Sequence, residues 1–182
     1  IVPSMTQKGA QVTMVQRSPT YVVSRPAEDK IANSLRKWLP EKWAYAITRL
    51  KNTTLSGYFY RQTRSQPAKT KAQLLGMATA NLGEEMVKAH FTPSYNPWDQ
   101  RMCLIPDGDL YTSINEGSAK VVTGDIETWT ESGLLMKDGT EVTGDIIVTA
   151  TGITLTVMSG IAFDLDGTAI NFPDTFTYKG MM

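Results

Sequence analysis

Apolar residues along this chain fall into two patterns: adjacent or alternating positions, which predict strands, and positions three and four apart, which predict helices. Residues 1–10 read as the last turns of a helix closed at Gly9, because a glycine just past a helix takes the left-handed cap. Residues 11–16 (Gln-Val-Thr-Met-Val-Gln) predict a short strand. Residues 28–89 read as mostly helical. Glu28 and Asp29 fall in a first turn, where acids oppose the helix dipole. Ile31, Leu35, Trp38 and Leu39 then share one face. Pro40 breaks the pattern, and a second helix begins near Glu41 with Trp43, Ile47 and Leu50 on its buried side. A further short helix runs through Gln73, Leu74, Leu75 and Met77. Asp107 or Asp109 is expected to cap a helix that ends near Asn115 and closes at Gly117.

After Gly117 the chain turns strand-rich. Residues 120–123 predict one strand, and residues 125–131 alternate as a half-exposed strand does. Two further apolar runs flank Lys137-Asp138-Gly139, and Asp-Gly between strand runs is a strong hairpin signal. Then comes Asp145-Ile146-Ile147-Val148-Thr149-Ala150-Thr151-Gly152, an unbroken β-branched run bounded by small and turn residues. This pattern predicts a strand buried on both faces, as in a parallel sheet covered by helices. Such sheets bind ligands beyond the carboxyl ends of their strands. Here that end is Thr151-Gly152, where a ligand can approach backbone. Residues 153–182 read as strand-rich, with a turn at Asp166-Gly167.

Composition narrows the class. The chain has 182 residues, 41% of them apolar, and a formal net charge of zero. That is one domain or slightly more, and nothing in the overall charge calls for a nucleic-acid partner. The lone cysteine, Cys103, excludes an internal disulfide and fits a reducing, cytoplasmic compartment. No apolar run is long enough to span a bilayer. Residues 30–71 are strongly basic, with Glu41 as their only acid. They read as a solvated helix face, with binding of nucleic acid, or of anionic lipid in a membrane-peripheral association, as the alternative. The single histidine, His90, reads as a structural hydrogen-bonding residue, and no metal site is expected. Both ends, Ile1-Val2-Pro3 and Gly180-Met181-Met182, look like the interior of a longer chain.

Two places carry candidate chemistry. Arg17 and Ser18 follow the first strand at its carboxyl end. In a dinucleotide-binding βαβ unit, a cation there accommodates the 2′-phosphate of NADP, and a guanidinium suits a phosphate through its forked donors. The second place is the stiff loop His90-Phe91-Thr92-Pro93-Ser94-Tyr95-Asn96-Pro97-Trp98-Asp99-Gln100-Arg101.

That loop's Tyr95-Asn96-Pro97-Trp98-Asp99-Gln100-Arg101, followed by Pro106-Asp107-Gly108-Asp109-Leu110, closely resembles class B flavoprotein monooxygenases, in particular Baeyer–Villiger monooxygenases of the ethionamide-activating type. Val12-Thr13-Met14 with Gln16-Arg17-Ser18-Pro19-Thr20-Tyr21, the run from Asp145 to Gly152, and Tyr178-Lys179-Gly180-Met181-Met182 are similar to the same family, in the same order. The resemblance implies FAD and NADPH as cofactors. It also implies O2 and a ketone, thioether or amine as substrates. Arg17 and Ser18 match the family's 2′-phosphate contacts. Arg101 matches an arginine beside the flavin ring, where a fixed cation stabilises developing negative charge. Gln100 falls where some relatives carry a lysine near the NADP phosphate. Ala150, Thr151 and Gly152 match the segment that leaves the NADP domain close to the nicotinamide.

The expected fold is α/β. Residues 1–152 would be a truncated Rossmann-like NADP-binding domain lacking its first strand, with a helical insertion at 28–89 and an antiparallel meander. Residues 153–182 would begin the return to an FAD-binding domain. The family's glycine fingerprints would precede Ile1, so the chain alone is expected to lack monooxygenase activity. The alternative is a non-catalytic, nucleotide-binding remnant of such an enzyme.

Overall fold

The computed structural model describes residues 1–154, 160–171 and 174–176. The block Tyr178-Lys179-Gly180-Met181-Met182 lies outside them. The chain is mixed α/β and divides into two compact units, 1–145 and 146–182. No described helix is long and apolar enough to cross a membrane.

In the first unit, α1 (Val2–Thr6) leads through Gly9, at φ 89°, into β1 (Val12–Gln16). β1 lies parallel to β4 (Ala119–Thr123), with Val12 opposite Ala119 and Gln16 opposite Thr123. A second parallel pair joins β2 (Tyr21–Arg25) to β3 (Met102–Pro106), with Tyr21 opposite Met102. Neither β2 nor β3 is evident from periodicity. Each is five residues long and lacks strict alternation, and β3 ends in proline.

Between β2 and β3 run α2 (Lys30–Trp38), α3 (Glu41–Ser65), α4 (Pro67–Leu82) and α5 (Glu84–His90). α6 (Asp109–Asn115) precedes β4. The core gathers Val22 of β2, Ala78 of α4, Val87 of α5, Phe91, Leu110, Tyr111 and Ile114 of α6, and Ala119 and Val121 of β4. Tyr111 donates its hydroxyl to the carbonyl of Val22 at 2.7 Å, tying α6 to β2. Burial pushes its phenol pKa up.

An antiparallel meander closes the unit: β5 (Ile126–Thr130), β6 (Gly133–Met136) and β7 (Glu141–Thr143). The Asp138-Gly139 turn is present. Gly139 has φ 86° and donates to the carbonyl of Met136, while Asp138 Oδ1 accepts from the Thr140 amide at 2.9 Å. β5 is exposed along its whole length rather than half-exposed. In the second unit, β8 (Asp164–Leu165) and β9 (Thr168–Ala169) form a hairpin across Asp166-Gly167.

Several expectations are corrected. Asp29 is the N-cap of α2 and not part of its first turn: its Oδ1 accepts from the Ala32 amide at 3.0 Å. The N-cap of α6 is Gly108, in the left-handed conformation, and not Asp107 or Asp109; Asp109 is the first helical residue, its Oδ1 accepting from the adjacent Leu110 amide at 2.8 Å. Asp107 Oδ1 accepts from the Ala27 amide instead. Trp43, Ile47 and Leu50 are exposed, because α3 buries Ala44 and Thr63 while those three point elsewhere.

The run at 145–152 is not a buried strand. Ile146 is 82% and Val148 61% exposed, and the segment carries no strand pairing. Burial on both faces requires a neighbouring strand on at least one side and helices above and below. Among the described residues none stands beside this run.

Candidate cofactor-binding site

Gln16, the last residue of β1, organises the carboxyl end of the first strand pair. Its side-chain amide donates to the His90 carbonyl at 2.7 Å and to Thr123 Oγ1 at 2.9 Å. Thr123 Oγ1 is also 2.8 Å from His90 Nδ1. With its oxygen accepting from Gln16, the Thr123 hydroxyl can give its own proton to Nδ1, which leaves the neutral ring protonated at Nε2. Burial holds the His90 pKa below its ordinary value, which favours that neutral form. His90 is thus a structural hydrogen-bonding residue at a strand end.

Arg17 and Ser18 follow immediately and are exposed. Among the described residues the Arg17 guanidinium makes no ion pair or hydrogen bond, so its donors are free for a ligand. The chain then turns through Pro19 and Thr20 into β2.

The Pro-rich loop is fastened to that turn. Thr20 Oγ1 lies 2.9 Å from the Tyr95 hydroxyl, and both hydroxyls reach the carbonyl of Arg101 at 3.1 Å. Tyr21 donates its hydroxyl to the Tyr95 carbonyl at 2.6 Å, and the two rings meet edge to face at 5.5 Å. Pro93 and Pro97 are fully buried. Lys71 donates to the Pro93 carbonyl at 2.8 Å. Arg64 pairs with Asp99 at 2.6 Å and draws its carboxyl pKa below the usual range. Trp98 adopts φ 68° and packs its ring on Tyr60 at 5.8 Å.

Gln100 and Arg101 are exposed at the end of this loop, and the Arg101 guanidinium has no partner among the described residues. The segments 17–20 and 100–101 therefore meet at one hydrogen-bonded junction. Ala150, Thr151 and Gly152 belong to the second unit, in exposed, irregular chain. Thr20, Tyr21, Tyr95 and the trio Gln16, His90 and Thr123 did not stand out as site-building residues in the sequence. Tyr95 and Tyr21 lay inside recognisable blocks, yet nothing local marked them as partners across 74 residues.

Two surface clefts lie elsewhere. One, of about 360 Å³, opens beside α1 and α6 at Thr6, Ser113 and Glu116. The other, of about 230 Å³, lies beside Val23, Met77 and Tyr111. Neither is lined by Arg17, Ser18, Gln100 or Arg101.

No family model matches the chain, and no solved structure does. Curated relatives match all of it. The FAD-containing monooxygenase EthA of Mycobacterium tuberculosis is 43% identical over the whole chain, which spans 38% of that relative. EthA of Mycolicibacterium smegmatis is 41% identical over the whole chain and 37% of its own length. The protein named "Probable FAD-binding monooxygenase AlmA" in Acinetobacter baylyi is also 41% identical, with 37% of its length covered. The chain thus spans rather more than a third of the length of these relatives, and along that whole stretch its sequence is similar to proteins named as FAD-containing or FAD-binding monooxygenases.

Proposed function

We propose that this chain forms the NADPH-binding part of an FAD- and NADPH-dependent monooxygenase. Such an enzyme inserts one oxygen atom of O2 into a ketone, or adds it to sulfur or nitrogen. The single observation that carries the reading is the junction of Thr20 and Tyr95 with the Arg101 carbonyl. It draws the Arg17-Ser18 turn and the Gln100-Arg101 turn to one place.

The residues fit the phosphate of NADPH. Arg17 stands at the carboxyl end of a strand in a parallel pair, where such folds take nucleotides. It is exposed and free of internal acids, so its forked donors are available to a phosphate. Ser18 adds a hydroxyl donor and Gln100 an amide. The exposed guanidinium of Arg101 supplies a fixed positive charge that favours negative charge developing in the reaction. The family resemblance assigns Ala150, Thr151 and Gly152 to the nicotinamide end of the cofactor. FAD, when bound, supplies the redox chemistry with O2.

The test is a calorimetric titration of NADP+ and NAD+ into the chain and into an Arg17→Ala variant. Preferential NADP+ binding that the variant loses is the expected result. Equal affinity for both dinucleotides, or a preference for NADP+ that the variant keeps, would overturn the phosphate role.

A further inference from the structure

The largest feature that the proposed function leaves unused is the exposed apolar surface of α2 and the first half of α3. In α2, Ile31 and Trp38 stand seven residues apart and both are exposed, Trp38 at 83%. In α3, Trp43 and Leu50 repeat that spacing, at 66% and 69% exposed, with Ile47 between them. A seven-residue step returns to nearly the same side of a helix. Each helix therefore carries an apolar stripe that nothing in the first unit covers.

A cation precedes each of these four residues: Lys30 before Ile31, Lys37 before Trp38, Lys42 before Trp43 and Arg49 before Leu50. One residue is a turn of about 100° round the helix. Both helices thus run a stripe of positive charge beside a stripe of aromatic and aliphatic side chains. Arg36 adds a fifth cation, and Glu41 is the only acid in residues 30–50. None of the five cations pairs with an acid among the described residues. Arg36 and Arg49 reach only the neutral Asn33 and Tyr45. Asp29, at the base of the hairpin, is already engaged: it caps α2 and binds Lys51 at 2.6 Å, which also braces α2 against α3.

We infer that the α2–α3 hairpin is a docking surface for an anionic lipid bilayer. A tryptophan has an apolar body and a polar N–H, and it settles at the level of the headgroups. Lysines flanking an apolar stripe extend their charged ends to the phosphates while their stems stay in apolar surroundings. Helices with a strongly charged flank and exposed Trp or Leu lie in the membrane interface in this manner. A protein partner, including further chain of the kind the longer relatives carry, is a poorer match. Protein interfaces are depleted of lysine in their buried centres, whereas three lysines border these stripes. The proposal is independent of the NADPH reading, since it shares no residue with it.

The chain would be sedimented with vesicles of phosphatidylcholine alone and of phosphatidylcholine containing one-third phosphatidylglycerol. We expect binding to the anionic vesicles only, a blue shift of tryptophan emission, and loss of binding as salt rises. Each surface cation near an anionic membrane contributes roughly fivefold to binding. The quadruple variant K30Q/K37Q/K42Q/R49Q should therefore bind more than a hundredfold more weakly. The variant W38A/W43A should bind at least tenfold more weakly, with an unchanged circular dichroism spectrum because both side chains are exposed.

Three results would overturn the inference. One is no binding to anionic vesicles at low salt. Another is salt-sensitive binding to duplex DNA in place of vesicles. The third is a concentration-dependent dimer in light scattering that W38A/W43A abolishes, which would make the surface a contact between copies of this chain.

Discussion

Thr20 and Tyr95 meet hydroxyl to hydroxyl at 2.9 Å, and each stands 3.1 Å from the carbonyl oxygen of Arg101. Two protons serve three contacts, so at any instant two are hydrogen bonds and the third is a close approach of oxygens. Removing either hydroxyl leaves the other to bond the carbonyl. Tyr95→Phe and Thr20→Val should each cost about 1 kcal/mol, the usual net worth of one such bond. The double variant should cost more than the two singles added, because the first loss is partly compensated and the second is not. Urea denaturation of the four proteins measures this, and strict additivity would mean that the hydroxyls do not substitute for one another.

Arg17 tests the dinucleotide reading in a full-length enzyme that carries this segment. Arg17→Ala should weaken NADPH by roughly tenfold or more, the scale of a lost hydrogen bond to a charged group. NADH should change little. Steady-state KM values for both dinucleotides provide the comparison, and equal losses would remove Arg17 from the phosphate site.

His90 predicts a pH dependence. Burial lowers its folded pKa below the ordinary 6.5, so the unfolded chain takes up a proton first as the pH falls. Its contribution to stability is complete above about pH 6.5 and is lost as the pH drops through the lower folded value. Replacing His90 with Gln should flatten the stability curve below about pH 6.5. Chemical denaturation at stepped pH would detect it, and an unchanged slope would show that His90 does not titrate differently in the fold.

Gly133 opens β6 against β7. A Cβ built there would lie 2.0 Å from the Val142 carbonyl oxygen and 2.9 Å from Thr143 Cα. Both are backbone atoms, so relief requires the strands to part. Gly133→Ala should destabilise the meander by about 2 kcal/mol or more. Amide exchange of the Thr143 and Leu135 region should accelerate while α4 to α6 stay protected. A variant with native exchange throughout would show that the strand pair yields easily.

Sequence pattern resolved the parts of this fold that local chemistry decides. The strands read at 11–16 and 120–123, each within one residue of the observed bounds, the Asp138-Gly139 turn and the helix breaks at Pro40 and Gly117 were all readable. So were Arg17, Ser18, Gln100 and Arg101 as candidates. What it missed depends on partners far away in the chain. Thr20 and Tyr95 are 75 residues apart, and no local rule joins them. Trp43, Ile47 and Leu50 were correctly placed on one helix face, but periodicity says that a face is apolar and not what covers it. The run at 145–152 has the composition of an interior strand, and composition cannot supply the neighbouring strand that would make it one.

That last run has a practical consequence. Ile146, Ile147 and Val148 are β-branched, uncharged and exposed, with no strand beside them among the described residues. Their backbone amides and carbonyls form an open template of the kind that recruits a strand from another molecule. Only Asp145 interrupts this stickiness at its leading side, and no lysine or proline guards the other. The purified chain should therefore lose solubility with concentration sooner than its balanced composition suggests. A lysine substituted at position 147 should keep it in solution longer without touching the folded first unit.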